Sequence, residues 1–231
     1  LDIDERAAQL TGFALMMKGR ADDRRLFERG GKLNVMALVD SVGFNAEGLA
    51  KGVELSDYGL RSGVVTELKR LFEHAMTLGS LIQVPEELAE KLPAMKQLSE
   101  ATSQDLFVSE ALKRLGPLVQ QAELLAAQYD VVVANPPYMG AGGMNTLMKK
   151  FAKDYFPDAR SDLFACFIER SSMLAKDAGR LGTVAPYVWM FISSYQQFRS
   201  KLIDESSLTS LVQLEYNAFE PACIPVATFI L

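Results

Sequence analysis

The hydrophobic positions of the chain follow different periods in different segments, and each period predicts a different kind of element. Residues 131 to 133 are three consecutive valines, an apolar run without alternation that is typical of a strand covered on both faces. Between residues 5 and 20 the apolar residues recur every three or four positions, which predicts a helix whose apolar face contains Ala7, Leu10, Ala14 and Met17. From about residue 45 to residue 128 the pattern stays helical and amphipathic. Several helices are expected in this stretch rather than one, with breaks at Pro85, Pro93 and the Gly116–Pro117 pair.

Shorter runs predict the remaining elements. The opening segment LDID is expected to be the end of a strand, and further strands are expected over 34–39, over 180–186 and twice in the tail from residue 207. Helices are expected over 161–176, with Ser161 as the N-cap and Gly179 as a stop signal, and over 194–205. Strands that alternate with helices predict an α/β protein with a mostly parallel sheet. The chain opens at the end of one predicted strand and closes inside another, so we expect an internal fragment of a longer protein.

The composition is that of an ordinary globular protein, with 49% hydrophobic and 23% charged residues. No apolar run approaches the roughly 20 residues that a membrane helix needs, so we expect a soluble protein that has no membrane partner. The two cysteines, Cys166 and Cys223, provide neither a disulfide framework nor a metal site. This cysteine usage favours a reducing cytoplasm and a protein without bound metal.

A formal net charge of −5 argues against a free-standing nucleic-acid binder, because nonspecific affinity for nucleic acids comes from neutralised phosphates. The excess of acid lies before residue 135, since nine basic and nine acidic residues follow from that position onward. Four of those bases come shortly after the valine run: Lys149, Lys150, Lys153 and Arg160. They are interpreted either as a solvated helix face or as a phosphate contact beside a site, and both interpretations stay open.

The valine run ends at a tetrapeptide, Asn-Pro-Pro-Tyr, whose groups fit a planar ligand. Prolines cannot continue a central strand, so the chain leaves the sheet at the strand's carboxyl end, where ligand sites form in open α/β sheets. Asn135 carries an amide that accepts and donates hydrogen bonds. Pro136 and Pro137 hold the backbone stiff and present carbonyl groups, and Tyr138 offers a ring for stacking. Together these groups suit a planar ligand that bears an –NH₂ group.

The same groups explain how a weak nucleophile is activated. An exocyclic aromatic amine is a poor nucleophile because its lone pair is delocalised into the ring. Hydrogen bonds from the amine to the Asn135 side chain and the Pro136 carbonyl favour a pyramidal nitrogen, whose lone pair is then available to attack a methyl sulfonium in line. Because positioning supplies much of the rate, this chemistry requires neither a metal nor an acid–base pair.

These residues carry a resemblance to a known family. VVVANPPY resembles motif IV of the S-adenosylmethionine-dependent amino-methyltransferases, whose signature is Asp, Asn or Ser, then two prolines, then an aromatic residue. LDIDERA resembles their motif II, which implies that Asp2 binds the ribose hydroxyls of the cofactor and that Ile3 lies against its adenine ring. Asp40 occupies the place of the third motif's acid, which contacts the adenine amine. The resemblance implies S-adenosyl-L-methionine as the cofactor and a Rossmann-like methyltransferase fold.

Nearly the whole chain is similar to large adenine-specific DNA methyltransferases, in particular the phage-defence family called PglX, the methyltransferase of BREX systems. The similar segments begin at LDIDERAAQL and, after the tetrapeptide, at YFPDARSDLF. The resemblance implies transfer of a methyl group from S-adenosyl-L-methionine to the exocyclic N6 amine of adenine in DNA, in restriction-modification or antiviral defence. In such enzymes the adenine is flipped out of the duplex and stacked in a pocket. Tyr138 would provide one face of that pocket, and Trp189 or Phe191 the other.

The resemblance also assigns roles to three parts of the chain: part of the cofactor-binding half at 1–44, a helical insertion at 45–128 and the catalytic half at 129–231. Two elements of the family are absent, namely the glycine-rich motif that cradles the methionine part of the cofactor and the C-terminal DNA-reading region. We therefore expect double-stranded DNA to bind mostly through regions outside this chain. Proteins of a defence complex are expected as further partners. The chain alone is expected to bind the cofactor weakly and to methylate nothing.

Two other functions stay open. A protein glutamine N-methyltransferase uses the same tetrapeptide on a side-chain amide, although the helical stretch between Asp2 and Asn135 is far longer than those compact enzymes carry. A catalytically silent assembly subunit of a defence complex would keep the fold, although the intact Asn-Pro-Pro-Tyr motif argues against it.

Overall fold

The computed structural model of the protein describes residues 1–30, 33–216 and 224–231. The chain forms two compact units, Leu1–Ala126 and Ala127–Leu231. The first unit contains residues 1–44 together with nearly all of the predicted insertion, and the assignment of separate roles to these two parts stays a prediction. Cys223 lies outside the described residues.

The first unit is mainly helical, as the amphipathic pattern predicts. Its helices are α1 (Glu5–Asp22), α2 (Ala46–Gly52), α3 (Ser62–Leu71), α4 (Ala75–Leu78), α5 (Glu86–Ala89), α6 (Leu92–Ser99) and α7 (Leu106–Ala126). Apolar side chains of these helices form the core, in which Leu68 of α3 and Leu115 of α7 are fully buried. Pro85 is the N-cap of α5 and Pro93 lies in the first turn of α6, so both prolines separate helices as predicted.

Pro117 does not break its helix. α7 runs without interruption through the Gly116–Pro117 pair, so the predicted break is wrong. A proline inside a helix costs about 3 kcal/mol because a backbone hydrogen bond is lost and the ring crowds the preceding turn. Leu115 before the proline and Leu118 after it are both buried, so the burial of one continuous apolar face offsets that cost.

The two strands predicted at LDID and over 34–39 are reduced to one parallel bridge between Asp2 and Ala37. The N–H of Asp2 donates to the carbonyl of Met36 at 3.1 Å, and the N–H of Leu38 donates to the carbonyl of Asp2 at 2.8 Å. These two bonds hold the opening segment beside residues 36–38. The bridge between them is parallel.

The apolar face predicted for α1 is wrong. Leu10 is 68% exposed and Met17 is 50% exposed, whereas the buried residue of the helix is Ala8. Ala8 and Gly12 line a cleft together with the segment that contains Val35. Because these two residues are small, this face allows a close approach between the helix backbone and its neighbour.

The second unit is an α/β layer structure. Its strands are β1 (Tyr129–Ala134), β2 (Ala175–Pro186), β3 (Ser210–Gln213) and β4 (Val226–Ile230), and its helices are α8 (Thr146–Tyr155), α9 (Leu163–Leu174) and α10 (Gln196–Glu205). The strands form one sheet in the order β1-β2-β4-β3. β1 pairs with β2 in parallel, and β4 is antiparallel to both β2 and β3. Three of the four described strands therefore run in the same direction, although two of the three pairings are antiparallel, so the sheet is mixed. The predicted α/β class is confirmed.

Two boundary predictions in this unit are wrong. The N-cap of α9 is Asp162 rather than Ser161, and its side chain accepts a hydrogen bond from the N–H of Phe164. Gly179 does not stop a helix, because α9 ends at Leu174 and Gly179 lies inside β2. The sheet register between β1 and β2 shifts in this region, so the glycine fits an irregular part of the strand.

The valine run forms β1, but it is not covered on both faces. Val131 is 61% exposed and Val133 is 81% exposed, so this prediction is wrong. In the described sheet β1 pairs with β2 alone and stands at the end of the strand order, which leaves its other edge without a strand. Among the described residues no helix is both long and apolar enough to cross a membrane.

Candidate active site

The Asn-Pro-Pro-Tyr motif directly follows the last residue of β1. Ala134 pairs with Thr183 of β2, and because the two strands are parallel, both leave the sheet at the same edge. Asn135 is exposed, Pro136 is buried and Tyr138 is half-buried. The motif therefore lies where the sequence predicts, at the carboxyl end of a strand, with its amide accessible to a ligand.

Tyr138 and Asn135 are hydrogen-bonded to each other. The phenol hydroxyl lies 3.2 Å from Oδ1 of Asn135, to which it donates, and 3.5 Å from the carbonyl oxygen of Val184 in β2. Burial raises the pKa of Tyr138, so its hydroxyl stays protonated and remains a donor at neutral pH. This contact holds the acceptor oxygen of Asn135 beside the Tyr138 side chain. The amide oxygen has a second lone pair for an external donor.

Asp162 fixes the chain that follows the motif. Its Oδ1 accepts a hydrogen bond from the N–H of Met139 at 2.9 Å, as well as one from the N–H of Phe164. The backbone adds two bonds, from Ala141 N–H to Ser161 O and from Leu163 N–H to Met139 O, each 3.0 Å long. Burial raises the pKa of the Asp162 carboxyl, although backbone N–H groups partly oppose this. Sequence reasoning missed this role; the signal was an Asp directly before an apolar helix, which is a common N-cap.

The two aromatic residues proposed to stack on a base have different environments. Trp189 is 4% exposed, and its ring packs against Phe198 at 5.9 Å and Phe229 at 5.4 Å between ring centroids. Phe191 is 74% exposed and contacts Tyr187 edge to face, with centroids 6.0 Å apart. Both residues follow the carboxyl end of β2, at the same edge of the sheet as the motif. Trp189 belongs to the core, whereas Phe191 offers an accessible ring.

Arg199 of α10 holds the segment between these aromatic residues. Its guanidinium donates to the carbonyl oxygens of Trp189, at 2.5 Å, and of Ile192, at 2.6 Å. These charge-assisted bonds link α10 to the chain that follows β2. The position of Phe191 is therefore set by a helix of the same unit.

In the first unit, two of the three residues predicted to bind a cofactor, Ile3 and Asp40, contact the segment that contains α4. Asp2 forms the parallel bridge with Ala37, and Ile3 and Asp40 follow the two bridged segments. Oδ1 of Asp40 accepts a hydrogen bond from the N–H of Met76 in α4 at 2.8 Å. The Cγ2 methyl group of Ile3 lies against Gly79, where a Cβ on the glycine would be 3.4 Å from it. Sequence reasoning missed this role of the 76–79 turn.

The carboxylate acceptors and the apolar side chain in this group fit the ribose and adenine of S-adenosylmethionine. Asp2 is exposed, and its Oδ1 accepts a hydrogen bond from the N–H of Asp4 at 2.9 Å, which orients the carboxylate. Ile3 is 46% exposed and supplies an apolar surface beside it. An oriented carboxylate next to an exposed apolar side chain matches a diol attached to a flat ring. Within the described residues, no group of three or more His, Cys, Asp or Glu side chains could hold a metal ion.

Curated relatives match nearly the whole chain. "Adenine-specific methyltransferase BrxX" of Escherichia coli O9:H4 (strain HS) is 40% identical over 240 residues, which cover 95% of this chain and 20% of the relative. "Adenine-specific methyltransferase PglX" of Lacticaseibacillus casei (strain Zhang) is 33% identical over 232 residues, which cover 95% of this chain and 18% of the relative. The chain thus spans about a fifth of the length of these two relatives.

A more distant relative is the "Type II restriction enzyme and methyltransferase RM.Eco57I" of Escherichia coli, which is 28% identical over 60% of this chain and 15% of its own length. Among solved structures, a putative class I S-adenosylmethionine-dependent methyltransferase from Listeria monocytogenes aligns with 84% of this chain and 70% of its own, at 13% identity and a TM-score of 0.38. A likeness at that score carries no weight for the fold. The sequence model of one family, the Eco57I restriction-modification methylases, matches residues 1–219. Because this match covers almost the whole sequence, the chain belongs to the Eco57I restriction-modification methylase family.

Proposed function

We propose that the chain carries the catalytic motif of an adenine-specific DNA methyltransferase, which moves a methyl group from S-adenosyl-L-methionine to the N6 amine of a flipped adenine. The observation that supports this most is the hydrogen bond between Tyr138 and Oδ1 of the exposed Asn135 at the end of β1. It presents one oriented amide oxygen beside an aromatic ring, which is what an aromatic amine requires. The names of the curated relatives point to the same reaction.

The motif residues act on the amine by position. Oδ1 of Asn135 and the carbonyl oxygen of Pro136 accept hydrogen bonds from the two N6 hydrogens, which favours a pyramidal nitrogen with an available lone pair. Asn135 is exposed and its amide oxygen can accept from both Tyr138 and the substrate. S-adenosylmethionine, when bound, supplies an electrophilic methyl group on a sulfonium. Methyl transfer would form one C–N bond and break the C–S bond of the sulfonium, so the only proton to be removed would be one from N6.

That proton leaves to water rather than to a side chain of the motif. An amide is not a base near neutral pH, and burial raises the pKa of Tyr138, which keeps its phenol protonated. Since Asn135 is exposed, solvent reaches the amine as it becomes positively charged. The reaction therefore depends on orientation and on acceptor groups rather than on general base catalysis.

Stacking holds the flipped base over these acceptors. The Tyr138 ring is half-buried and hydrogen-bonded through its hydroxyl, so it forms a fixed platform for one face of the adenine. We assign the second face to Phe191, because its ring is exposed at the same edge of the sheet. Trp189 drops out of this role, since its ring is enclosed by Phe198 and Phe229.

The cofactor residues are proposed in the first unit. Asp2 accepts hydrogen bonds from the ribose hydroxyls, and Ile3 packs against the adenine ring of the cofactor. Asp40 uses Oδ1 to hold Met76, so its other oxygen is the one assigned to the adenine amine. The methionine part of the cofactor and the recognition of the DNA sequence are assigned to regions outside this chain, which spans about a fifth of its relatives.

The biological setting proposed is phage defence or restriction-modification in the cytoplasm. The substrate is double-stranded DNA, and other proteins of a BREX-type defence complex are proposed as partners. The family to which the chain belongs and the names of its relatives support this setting.

The test is methyl transfer from labelled S-adenosylmethionine to an adenine-containing duplex by the full-length protein, with the product identified as N6-methyladenine. Asn135→Ala should abolish transfer while leaving cofactor binding by calorimetry largely unchanged, because the lost acceptor acts on the amine in the transition state. Asn135→Asp is the matched control and should keep measurable activity, since a carboxylate oxygen also accepts. Near-normal methylation by Asn135→Ala would overturn the assignment. Methylation of protein glutamine instead of DNA would replace it with the glutamine methyltransferase.

A further inference from the structure

Helix α8 lies within a segment that leaves the chain just after the motif and returns to the same place. We call this segment the excursion. The excursion runs from Gly140 to Asp162, whose residues pair in an antiparallel bridge. Hydrogen bonds of Asp162 and Leu163 with Met139 join the two ends of the excursion immediately after Tyr138, and we call this junction its foot. Both ends of the excursion are thus tied to the residue that follows the motif, so α8 cannot move far from the candidate active site without breaking these bonds.

The two sides of α8 differ in chemistry. Met148 and Ala152 are buried, so this side of the helix faces the unit's interior. Lys149, Lys150 and Lys153 are exposed and fall within an arc of roughly 100° on the other side, since successive residues turn by about 100°. We call these three lysines the basic face. Arg160 is also exposed and lies two residues before Asp162, at the foot of the excursion.

The lysines of the basic face have no anionic partner among the described residues. The ion pairs found there involve other cations: Arg29, Lys96, Arg114, Lys176 and Lys201. Asp154 follows Lys150 by four positions, the spacing of a helix ion pair, yet no bridge between them forms. Lys149 and Lys153 are themselves four positions apart, and like charges at this spacing destabilise a helix. The lysines of the basic face therefore repel one another, and a bound anion would remove this unfavourable interaction.

Overall charge makes the basic face more unusual. The whole chain has a formal net charge of −5, whereas α8 contains three lysines and a single acid, Asp154. The helix is also well supported, because the ring of Phe151 stacks on that of Tyr155 with centroids 4.5 Å apart. Its N-terminus is capped by Asn145, whose side chain accepts from the N–H of Met148 at 2.8 Å. The basic face is therefore presented on an ordered helix rather than on a loose loop.

From these observations we propose that the basic face of α8, with Arg160, binds backbone phosphates of the DNA duplex next to the flipped adenine. Lys149 and Lys153 are separated by about 6 Å along the helix axis, and their flexible side chains can reach successive phosphates of one strand. Phosphate contacts fix the register of a protein on DNA without reading its sequence. The basic face thus positions the duplex over the motif, while sequence is read elsewhere. This inference rests on the proposed DNA-methylation function.

The test compares the full-length wild type with the triple variant Lys149→Gln/Lys150→Gln/Lys153→Gln. The matched control removes three exposed, unpaired lysines of the first unit: Lys51→Gln/Lys91→Gln/Lys113→Gln. Affinity for a target duplex is measured over a series of salt concentrations, together with the KM for DNA and the affinity for S-adenosylmethionine. Circular dichroism verifies folding, and Lys153→Gln alone serves as a milder variant.

The slope of log affinity against log salt should decrease in magnitude by about 2 to 3 in the triple variant, because each lost phosphate contact removes about 0.9. Lys153→Gln alone should lower it by about 1. The KM for DNA should rise on the order of tenfold or more, while cofactor affinity stays unchanged and the control variant resembles the wild type. If the wild type methylates adenine and the triple variant has the same salt slope and the same KM for DNA, this inference is overturned while the proposed function stands. A wild type that methylates no adenine would overturn the proposed function as well.

Discussion

The carboxylate of Asp162 accepts a hydrogen bond from the N–H of Met139 at 2.9 Å, so the residue that caps the N-terminus of α9 also holds the residue that follows the motif. A single side chain therefore couples the position of Tyr138 to a helix that is packed on the sheet. This coupling gives the motif loop a fixed exit from β1, which a catalytic mechanism based on orientation requires.

Removing the Asp162 carboxylate should weaken both the helix and the motif. Asp162→Ala loses the N-cap of α9 and leaves the N–H of Met139 without its acceptor, so we expect a loss of about 2 kcal/mol in stability. Methylation should decrease at least tenfold. Asp162→Asn keeps an acceptor oxygen and should retain most activity. Hydrogen exchange of the full-length protein tests this prediction. Amides near Met139 and in the first turn of α9 should exchange faster in Asp162→Ala than in the wild type or Asp162→Asn. Equal exchange rates in all three proteins would contradict the prediction.

The same carboxyl should make stability depend on pH in the acidic range. Burial raises the pKa of Asp162 above its ordinary value of about 3.9, so in the window above that value the native state binds more protons than the unfolded state. The free energy of unfolding contributed by this group therefore decreases as the pH rises from about 4 through the raised pKa. Asp162→Asn should remove this component, which urea unfolding at several pH values would measure as the difference between wild type and variant. If the stability of the wild type relative to Asp162→Asn decreased toward acid pH, the prediction would be contradicted.

Tyr138 should matter mainly through its ring. Tyr138→Phe loses the hydrogen bonds to Asn135 and Val184, the second of which is long at 3.5 Å, but it keeps the stacking surface. We expect methylation within several-fold of wild type for Phe. Tyr138→Ala should reduce it on the order of tenfold to a hundredfold, since stacking of one base contributes about 1–3 kcal/mol. Single-turnover rates on one duplex compare the two variants, and an equal loss in both would indicate that the hydroxyl's hold on Asn135 is the important contact.

The parts of the fold that were predictable depend on local signals. The motif lies at a strand end because two prolines cannot continue the ladder, whatever the rest of the chain does. The break expected at Pro117 was wrong because Leu115 and Leu118, on either side of the proline, are both buried in the core of the first unit, and that burial depends on elements elsewhere in the chain. The exposure of Val133 could not be predicted either, since it depends on whether another element packs on that face of β1.

The candidate site shows the same division. Asn135 and Tyr138 could be named from their motif, whereas their mutual hydrogen bond is visible only in the structure. Trp189 and Phe191 have the same local context after Pro186, yet one is enclosed and the other exposed. The difference arises from Phe198 and Phe229, which contact Trp189 from elements later in the chain. No local pattern contains that information.

Gly179 should be intolerant of any side chain. A Cβ at this position would lie 2.9 Å from the carbonyl oxygen of Lys176 and 3.0 Å from that of Tyr129, and neither backbone atom can move freely. We therefore expect Gly179→Ala to destabilise the second unit by about 2 kcal/mol. Gly182→Ala is the matched control on the same strand, because its Cβ would meet only a methyl group of Val133 at 4.0 Å. Urea unfolding of this chain, followed through the fluorescence of its single tryptophan, Trp189, compares the two; equal midpoints would contradict the clash.

The ion pair between Glu169 of α9 and Lys201 of α10 should stabilise the second unit only as a pair. The Glu169 side chain is 8% exposed, and Lys201, which is 35% exposed, donates a short hydrogen bond to it. Lys201→Met should cost about 3 kcal/mol, because it leaves a buried carboxylate without its cation. The double variant Glu169→Met/Lys201→Met should recover most of that loss, since an apolar pair of similar volume removes the unpaired charge. The free energy of unfolding, monitored by the fluorescence of Trp189, is measured for all four proteins of the double-mutant cycle. A double variant as unstable as Lys201→Met would contradict this prediction.

The same pair predicts how stability changes at alkaline pH. The pKa of Lys201 is raised, and the largest cause is its hydrogen bond to Glu169. Partial burial of the ammonium group opposes this rise. A raised folded-state pKa means that the stabilisation is fully present below the unfolded value of about 10.4 and is lost as the pH rises through the folded value. Burial also raises the pKa of Tyr195 to about 12, so the wild type alone would mix two titrations. The difference in unfolding free energy between wild type and Lys201→Met isolates the pair: it should be constant from pH 7 to about 10 and decrease above that. A constant difference up to pH 12 would show that the ammonium group of Lys201 does not contribute through its charge.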